Sequence, residues 1–315
     1  MNNTEDIDLV CLWCDGNEPK WRRKKNSWKN NLDDSDDECR FVDNEELKYL
    51  LRSVELYAPW LRKIFIATDE QTPNWLDVNN PKISVIDHKE FIPRRILPTF
   101  NSNTIEAYLP FIPGLSERFL YANDDMIFNA PVTKDFFYDQ NNRPIVRLIK
   151  KISDGALTRQ LYARTIFNMV NKINKKFNIN LDVRYPHHNI DAYLKSDFIK
   201  CIEEFKDERE ISMQNRFRNE DDFQRTLISY YCIAVNRAVF KIVKPTRALL
   251  KMFSKSNEID SMTLSIYKKN LDAQLEKSNP KLFCINDSER ATNEDRQRAK
   301  QFLAKRFPNK SSFEN

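Results

Sequence analysis

Strand-like and helix-like segments alternate along the first half of this chain of 315 residues. The apolar runs at residues 7–13, 63–68 and 83–86 have the length and the β-branched or aromatic content of buried strands. Residues 43–57 place apolar side chains at helical spacing, and Pro59 ends that predicted helix. This β-α-β order predicts an α/β fold with a mostly parallel sheet and helices on both faces.

The second half of the chain is more helical in its pattern. Residues 188–205, 221–240 and 291–307 are predicted to form helices, and Pro308 follows the last of them. We therefore expect an α/β domain with a more helical C-terminal half.

The predicted strand at residues 118–122 ends in three polar residues, Asn123, Asp124 and Asp125, before the sequence becomes apolar again. Open α/β sheets bind ligands at the carboxyl ends of their strands. Carboxylates there supply the oxygen ligands that hard cations prefer, and such cations share their coordination with substrate phosphates. The same three residues are also common in turns. Two interpretations are therefore open, a metal-assisted site for a phosphate-bearing substrate and a plain turn.

Glycine is scarce, with Gly16, Gly114 and Gly155 the only ones in the chain. This excludes both the P-loop and the glycine-rich dinucleotide fingerprint. Phosphate binding would have to use side chains, a metal ion or helix N-termini. The 51 basic and 46 acidic residues predict a surface of mixed charge, which argues against a dedicated nucleic-acid binder.

The six cysteines are scattered, and the polar start of the chain does not read as a secretory signal. Cys11 and Cys14 are spaced like metal ligands, but on a strand they would point to opposite faces, which argues against zinc. Reduced thiols and the lack of a long apolar run predict a cytoplasmic protein, soluble or peripheral to a membrane.

Basic clusters occur at residues 21–25 and 172–176. We interpret them as solvated helix faces, with a membrane contact as the alternative.

A series of short motifs runs along the chain, beginning with Asp8-Leu-Val-Cys-Leu-Trp-Cys-Asp-Gly-Asn-Glu-Pro19. The motifs occupy residues 8–19, 46–53, 58–60, 66–71, 97–102, 105–106, 112–116, 119–126, 188, 218–222, 284–287 and 307–314. In this order they resemble the four characteristic blocks of the Stealth family, which includes sugar-1-phosphate transferases of bacterial capsules and the lysosomal-enzyme GlcNAc-1-phosphotransferase. Cys14 and Glu18 depart from the family pattern, and either His187 or His188 matches the family histidine, with the spacing to Arg218 favouring His188.

The resemblance implies a Rossmann-like or GT-A-like sheet and one catalytic domain over residues 1–315. Its expected parts are a nucleotide-sugar and metal-binding core at 6–150, variable helical insertions at 151–182 and 241–281, and further catalytic blocks at 183–240 and 283–315. The implied reaction moves a sugar-1-phosphate from a UDP-sugar, expected to be a UDP-N-acetylhexosamine, to a hydroxyl of a capsular or surface polysaccharide, and UMP is released.

Two other functions are compatible with the same residues. A metal-dependent nucleotide-sugar glycosyltransferase would use a similar acidic pair but release UDP. A non-catalytic member of the family would bind polysaccharide or a partner enzyme, although the joint presence of Asp124, Asp125, His188 and Arg218 argues against it.

The resemblance also implies roles for individual residues. A histidine with an unperturbed pKa of about 6.5 suits a general base, and the arginine fork suits phosphate. The expected catalytic residues are His188, Arg218, Asp125 and Asp222. The expected ligands of Mg²⁺ or Mn²⁺ are Asn123, Asp124, Asp125 and Asp287. The expected substrate-binding residues are Asp15, Gly16, Asn17, Arg52, Asn101, Ser102 and Glu106.

The expected partners are the UDP-sugar donor and a polysaccharide or oligosaccharide acceptor, with no nucleic acid. A further expectation is peripheral association with the membrane or with the capsule assembly machinery, at the inner face of the cytoplasmic membrane.

Overall fold

The computed structural model describes residues 6–29, 38–243 and 259–315. Strands and helices alternate through these ranges. The strands are β1 (Ile7–Leu12), β2 (Ile64–Thr68), β3 (Ile83–Asp87), β4 (Arg118–Asn123), β5 (Met126–Phe128), β6 (Ile145–Lys151), β7 (Arg184–Pro186), β8 (Asp191–Leu194), β9 (Val239–Ile242), β10 (Ile259–Ser265) and β11 (Pro280–Asn286). The helices are α1 (Pro19–Trp28), α2 (Glu46–Tyr57), α3 (Ser102–Glu106), α4 (Asp154–Leu157), α5 (Leu161–Phe177), α6 (Lys195–Glu204), α7 (Lys206–Ser212), α8 (Arg225–Ala234), α9 (Leu271–Ser278) and α10 (Asn293–Arg306).

The largest sheet has five strands in the order β3-β2-β1-β4-β8. Neighbouring strands are parallel except for β8, which runs antiparallel to β4 at the edge. Both faces of β1 are covered, because Leu9 packs on the side of α2 while Val10 packs on the side of α5, α6 and α8. The prediction of a mostly parallel α/β sheet with helices on both faces is confirmed.

Two smaller sheets extend this core, with strand orders β10-β11-β5 and β7-β6-β9. The segment 241–281 is expected from the sequence to be a helical insertion, but it contains the strand β10 of the first of these sheets. That prediction is therefore wrong for this part of the segment. Met262, Leu264 and Ile266 alternate with polar residues and pack into the core, which is the two-residue period of a strand. Residues 244–258 of that segment lie outside the described ranges.

Two predicted helices are also divided by strands. The segment 188–205 begins with β8 before α6 follows, and the segment 221–240 contains α8 and the start of β9. Both strands pair with a neighbour, so hydrogen bonding across a sheet replaces the helix that the local pattern favoured. Within the described ranges, none of the helices has the length and apolar character needed to cross a membrane.

Candidate active site

A cavity of about 740 Å³ opens where β1, β2, β4 and β11 end. This is the edge at which open α/β sheets bind ligands. Seven of the residues singled out from the sequence line it, and they come from regions far apart in the chain. These residues are Ser102, Asn123, Asp124, Asp125, His188, Arg218 and Asp287.

The acidic pair lies in the tight turn between β4 and β5. β4 belongs to the five-stranded sheet, whereas β5 pairs with β11 in another sheet. Asn123 accepts a hydrogen bond from the Tyr121 hydroxyl (2.7 Å), and the backbone carbonyl of Asp125 accepts one from Ile285 (2.9 Å). The turn thus joins two sheets, and the carboxylates of Asp124 and Asp125 belong to two different groups of side chains.

Asp124 belongs to a cluster of three carboxylates with Asp43 and Glu46, whose ligand oxygens all lie within 4.8 Å of one another. Burial, followed by the mutual repulsion of the charges, raises the pKa of Asp124. Burial also raises the pKa of Glu46, although two hydrogen bonds from Asn44 (2.7 and 2.9 Å) favour its charged form. Glu46 is buried, while Asp43 and Asp124 are partly exposed. Three acids with only oxygen donors fit a hard divalent cation, which would remove their repulsion.

Asp43 and Glu46 are site residues that were not predicted from the sequence. The available signal was the position of Glu46 at the first residue of α2, within one of the quoted motifs. Nothing in the local pattern shows that this end of the helix meets the turn after β4, about 80 residues further along the chain.

Asp125 belongs to a second cluster, with His188 and Cys284. The Cys284 thiol donates a hydrogen bond to Oδ2 of Asp125 (3.1 Å), while Oδ1 of Asp125 is buried without a hydrogen-bond partner among the described residues. Cys284 was part of a quoted motif but was not predicted as a site residue. Its strand pairing with Met126 of β5 brings it there.

The structure distinguishes the two neighbouring histidines. His187 is buried and its ring is bonded to Ser261 (2.9 Å) and to Asp191 (2.9 Å), so it anchors the loop before β8. His188 lines the cavity. Burial lowers the pKa of His188 below its ordinary value of 6.5, against the opposing charge of Asp125. A neutral ring facing the cavity is the form that can accept a proton.

Arg218 also faces the cavity and donates a hydrogen bond to the Ser102 hydroxyl (2.6 Å). Burial, followed by the charge of Arg40, lowers the pKa of this guanidinium. A guanidinium that faces the cavity offers a planar fork of donors, which suits a site for an anionic ligand.

Asp222, expected among the catalytic residues, does not line the cavity. Its carboxylate is fully buried and accepts hydrogen bonds from the side chains of Asn101 (2.8 Å) and Asn103 (3.0 Å) and from the backbone of Asn219 (2.8 Å). Because Asp222 binds the backbone of Asn219 in the loop that carries Arg218, we infer that it positions this loop.

Asn101 and Glu106, predicted to bind substrate, also lie behind the cavity wall. Asn101 is fully buried and caps α3, because its side chain accepts a hydrogen bond from the backbone of Asn103 (3.0 Å). Glu106 is buried and accepts a hydrogen bond from the Tyr121 hydroxyl (3.0 Å). Of the predicted residues in this helical segment, Ser102 is the one that lines the cavity.

The turn of Asp15, Gly16 and Asn17 supports the cavity without lining it. Asp15 accepts a hydrogen bond from the backbone of Asn17 (2.8 Å), which closes the turn. Gly16 donates its backbone N–H to the carbonyl of Phe41 (2.8 Å), and a Cβ at this position would lie 2.3 Å from that oxygen. The glycine is required because only hydrogen fits against the segment that carries Phe41, a residue of the cavity wall.

Arg52 and Asp287 are engaged in ion pairs. Arg52 binds both carboxylate oxygens of Glu314 (2.7 Å each) and the carbonyl of Phe307 (2.6 Å), and it is not among the cavity residues. Asp287 lines the cavity but is bonded to Arg296 (2.8 and 3.2 Å), and neither described carboxylate or Cys/His cluster includes it. This geometry does not by itself support the expected roles of Arg52 in substrate binding and of Asp287 in metal binding, because both side chains are held by partners within the protein.

Comparison with known proteins gives consistent matches. The sequence model of Stealth protein CR2, conserved region 2, matches residues 40–146. The capsular polysaccharide phosphotransferase fcs1 of Haemophilus influenzae is 32% identical over 93% of this chain and 81% of that protein. The exopolysaccharide phosphotransferase cps2G of Lactiplantibacillus plantarum is 32% identical over 98% of this chain and 96% of that protein. The solved structure of the galactosyltransferase LgtC with donor and acceptor sugar analogues aligns with a TM-score of 0.44 and 10% identity, covering 97% of this chain and 96% of that one.

Proposed function

Because this chain belongs to the Stealth family, in which its relatives are capsular and exopolysaccharide phosphotransferases, we propose that it is a sugar-1-phosphate transferase. Its donor is a UDP-sugar, of the UDP-N-acetylhexosamine class, and its acceptor is a hydroxyl of a growing capsular or surface polysaccharide. The observation that carries this proposal is that one cavity collects a histidine, an arginine and a carboxylate cluster.

His188 acts as the general base in this proposal. Its neutral ring takes the proton of the acceptor hydroxyl, and the hydroxyl oxygen attacks the phosphorus that carries the sugar. The phosphoanhydride bond breaks, UMP leaves, and a phosphodiester links the sugar to the acceptor. Arg218, held by Ser102, contacts the diphosphate and keeps the attacked phosphorus in line with the acceptor.

Asp43, Glu46 and Asp124 are the residues that would hold Mg²⁺ or Mn²⁺. Their oxygen donors and the raised pKa of Asp124 and Glu46 support this assignment. When bound, the cation supplies positive charge to the diphosphate and to the leaving UMP. Asn123 helps to shape the turn that presents Asp124.

We further propose that residues 1–315 form one catalytic domain. The cavity lining supports this, because it draws on residues from both ends of the chain, from Leu12 to Arg290. Work on a capsular polymer is consistent with a place at the inner face of the cytoplasmic membrane, reached by peripheral association with the assembly machinery.

The decisive experiment identifies the released nucleotide. The purified protein is incubated with Mg²⁺, a panel of UDP-sugars and a short capsule oligosaccharide, and nucleotides are separated by chromatography. UMP that requires the acceptor and disappears with a chelator supports sugar-1-phosphate transfer. Release of UDP would instead make the protein a glycosyltransferase and would exclude the phosphodiester mechanism.

A further inference from the structure

The two clusters in the cavity differ in the chemistry of their ligands. We propose that Cys284, His188 and Asp125 form a binding site for a thiophilic divalent cation such as Zn²⁺, distinct from the carboxylate cluster around Asp124. Occupation of this site would engage the histidine that the proposed function uses as a base, so Zn²⁺ is expected to inhibit transfer. The binding claim itself does not depend on the proposed function.

Backbone pairing builds this site. β11 runs antiparallel to β5, which places Cys284 opposite Met126. The next residue of β11, Ile285, donates its backbone N–H to the carbonyl of Asp125 (2.9 Å). These contacts hold the Cys284 sulfur beside the Asp125 carboxylate, at 3.1 Å from Oδ2. The arrangement therefore follows from sheet register and does not depend on a long flexible side chain.

The third ligand arrives on the loop between β7 and β8. The ring of His187 is fixed by Ser261 and Asp191, and this anchors the loop on which His188 faces the cavity. One ligand atom from each of Asp125, His188 and Cys284 lies within 4.8 Å of the others. Since a zinc ion sits about 2.0 to 2.3 Å from each of its ligands, a small closure of these groups would bring all three into coordination.

The donor set selects the kind of metal. One sulfur, one imidazole nitrogen and one carboxylate oxygen match the ligands of zinc sites, in which three protein ligands leave a fourth position open. A sulfur ligand disfavours Mg²⁺, whereas the three carboxylates of Asp43, Glu46 and Asp124 favour it. The buried Oδ1 of Asp125, which has no partner among the described residues, offers a further acceptor at the same place.

Coordination requires one proton to leave. The Cys284 thiol donates its hydrogen to Asp125, and burial followed by the charge of Asp125 raises the pKa of this thiol. The incoming cation must therefore displace that proton to solvent, and no electron is transferred. His188 needs no such step, because burial lowers its pKa and leaves the ring neutral.

The test uses Co²⁺ as an optical probe on the full chain, after metals have been stripped and with excess Mg²⁺ present. A cobalt–thiolate bond gives a charge-transfer absorption that a cobalt ion held by oxygen and nitrogen lacks. We expect the wild type to develop this absorption with one equivalent of Co²⁺ and to lose it when Zn²⁺ is added. Cys284→Ser keeps a hydroxyl that can still donate to Asp125, and it should lose the absorption.

Cys14→Ser is the matched control, since Cys14 lines the same cavity but lies outside the cluster. This variant should keep the absorption. His188→Ala, which changes a loop residue, should weaken cobalt binding at least tenfold and serves as the second variant if Cys284→Ser does not fold. The absence of a thiolate band in the wild type, or a band that survives in Cys284→Ser, would overturn the proposal.

Inhibition is measured separately from binding. In the UMP-release assay, Zn²⁺ should inhibit the wild type at concentrations at least tenfold lower than those needed for Cys284→Ser. A cobalt band without any UMP release would leave this site standing and would count against the proposed function. UMP release that is equally sensitive to Zn²⁺ in both proteins would refute the inhibitory role of this site.

Discussion

Asp124 and Asp125 are adjacent in the sequence but belong to different clusters. Asp124 meets Asp43 and Glu46, whereas Asp125 meets His188 and Cys284. A turn of two residues between strands of different sheets produces this separation. At the residue scale, the cavity therefore combines a group of oxygen donors suited to a hard cation with a histidine suited to proton transfer.

The first prediction concerns the two histidines. His188→Ala should lower kcat by about 10²–10⁴-fold, because a positioned general base contributes that much, with little change in the KM for the donor. His187→Asn should lower thermal stability, because it removes an anchor of the loop before β8. Rates of UMP release per folded molecule measure the first effect and thermal unfolding the second. If fully folded His187→Asn lost more kcat than His188→Ala, the general base would be His187 and this assignment would be wrong.

The second prediction concerns Asp191, which is bonded to both His187 and Arg225. Burial alone would raise the pKa of Asp191, but Arg225 and then His187 outweigh it and hold the pKa below 3.8. Since the folded-state pKa is lowered, the stabilisation is complete well above pH 3.8 and is lost as the pH falls through the folded-state pKa.

Asp191→Asn should therefore lower the free energy of unfolding by about 3 kcal/mol at pH 7, as expected when one partner of a buried ion pair is removed. The difference from the wild type should stay constant down to about pH 5 and narrow below pH 4, because the carboxyl of the unfolded chain is then protonated first, and the loss is complete once the pH has fallen through the lower folded-state pKa. Urea unfolding of both proteins at a series of pH values measures this difference in the free energy of unfolding. A difference that does not depend on pH would show that packing, and not charge, causes the loss.

At the scale of elements, α2 connects the cavity to the end of the chain. Its first residue, Glu46, joins the carboxylate cluster, while Arg52 on the same helix holds Glu314 and the carbonyl of Phe307. Leu47, Leu50 and Leu51 are buried in the core between these polar contacts. One helix thus supports the active site at its N-terminus and fastens the C-terminal segment by a side chain further along.

The third prediction separates these two roles. Arg52→Ala should lower the free energy of unfolding by about 3 kcal/mol, because it leaves the buried Glu314 carboxylate without its partner. The KM for the UDP-sugar should not change, since Arg52 does not line the cavity. Arg52→Lys is the control and should lose less stability, because it keeps the charge but not the fork. A raised KM with unchanged stability would restore a substrate-binding role.

At the scale of the whole molecule, the cavity exists only because distant segments converge. Its wall combines the ends of β1, β2 and β4 with the loop before β8, the Arg218 loop and the end of β11. The five-stranded sheet and the sheet of β5, β10 and β11 are joined at the turn of Asp124 and Asp125. Binding at this junction should therefore stabilise the chain as a unit.

The fourth prediction is that thermal unfolding shows one transition and that UDP with Mg²⁺ shifts it as a whole. At about 100 times their dissociation constant, ligands add about 2.7 kcal/mol to the free energy of unfolding. Adding a chelator should remove most of this shift, and Glu46→Gln should show little response to Mg²⁺ because it removes one proposed ligand. Calorimetry measures these shifts. Two transitions, of which only one responds, would contradict a single catalytic domain.

The sequence by itself determined the fold class and the main landmark of the site. The periods of apolar residues predicted the order of β1, α2, β2 and β3, because burial on a strand or helix depends on local spacing. The break from apolar to acidic residues at Asn123 located the mouth of the cavity, because a polar run after a buried strand leaves the core.

Only the tertiary structure decided which side chains meet. Arg52, Asp222 and Asp287 have the chemistry of site residues, yet each is bonded to partners within the protein that no local pattern specifies. Glu46 and Cys284 reach the cavity because helix packing and strand pairing bring them to the turn after β4. Contacts between residues far apart in the chain depend on the shared packing of whole elements, and short-range spacing carries no record of them.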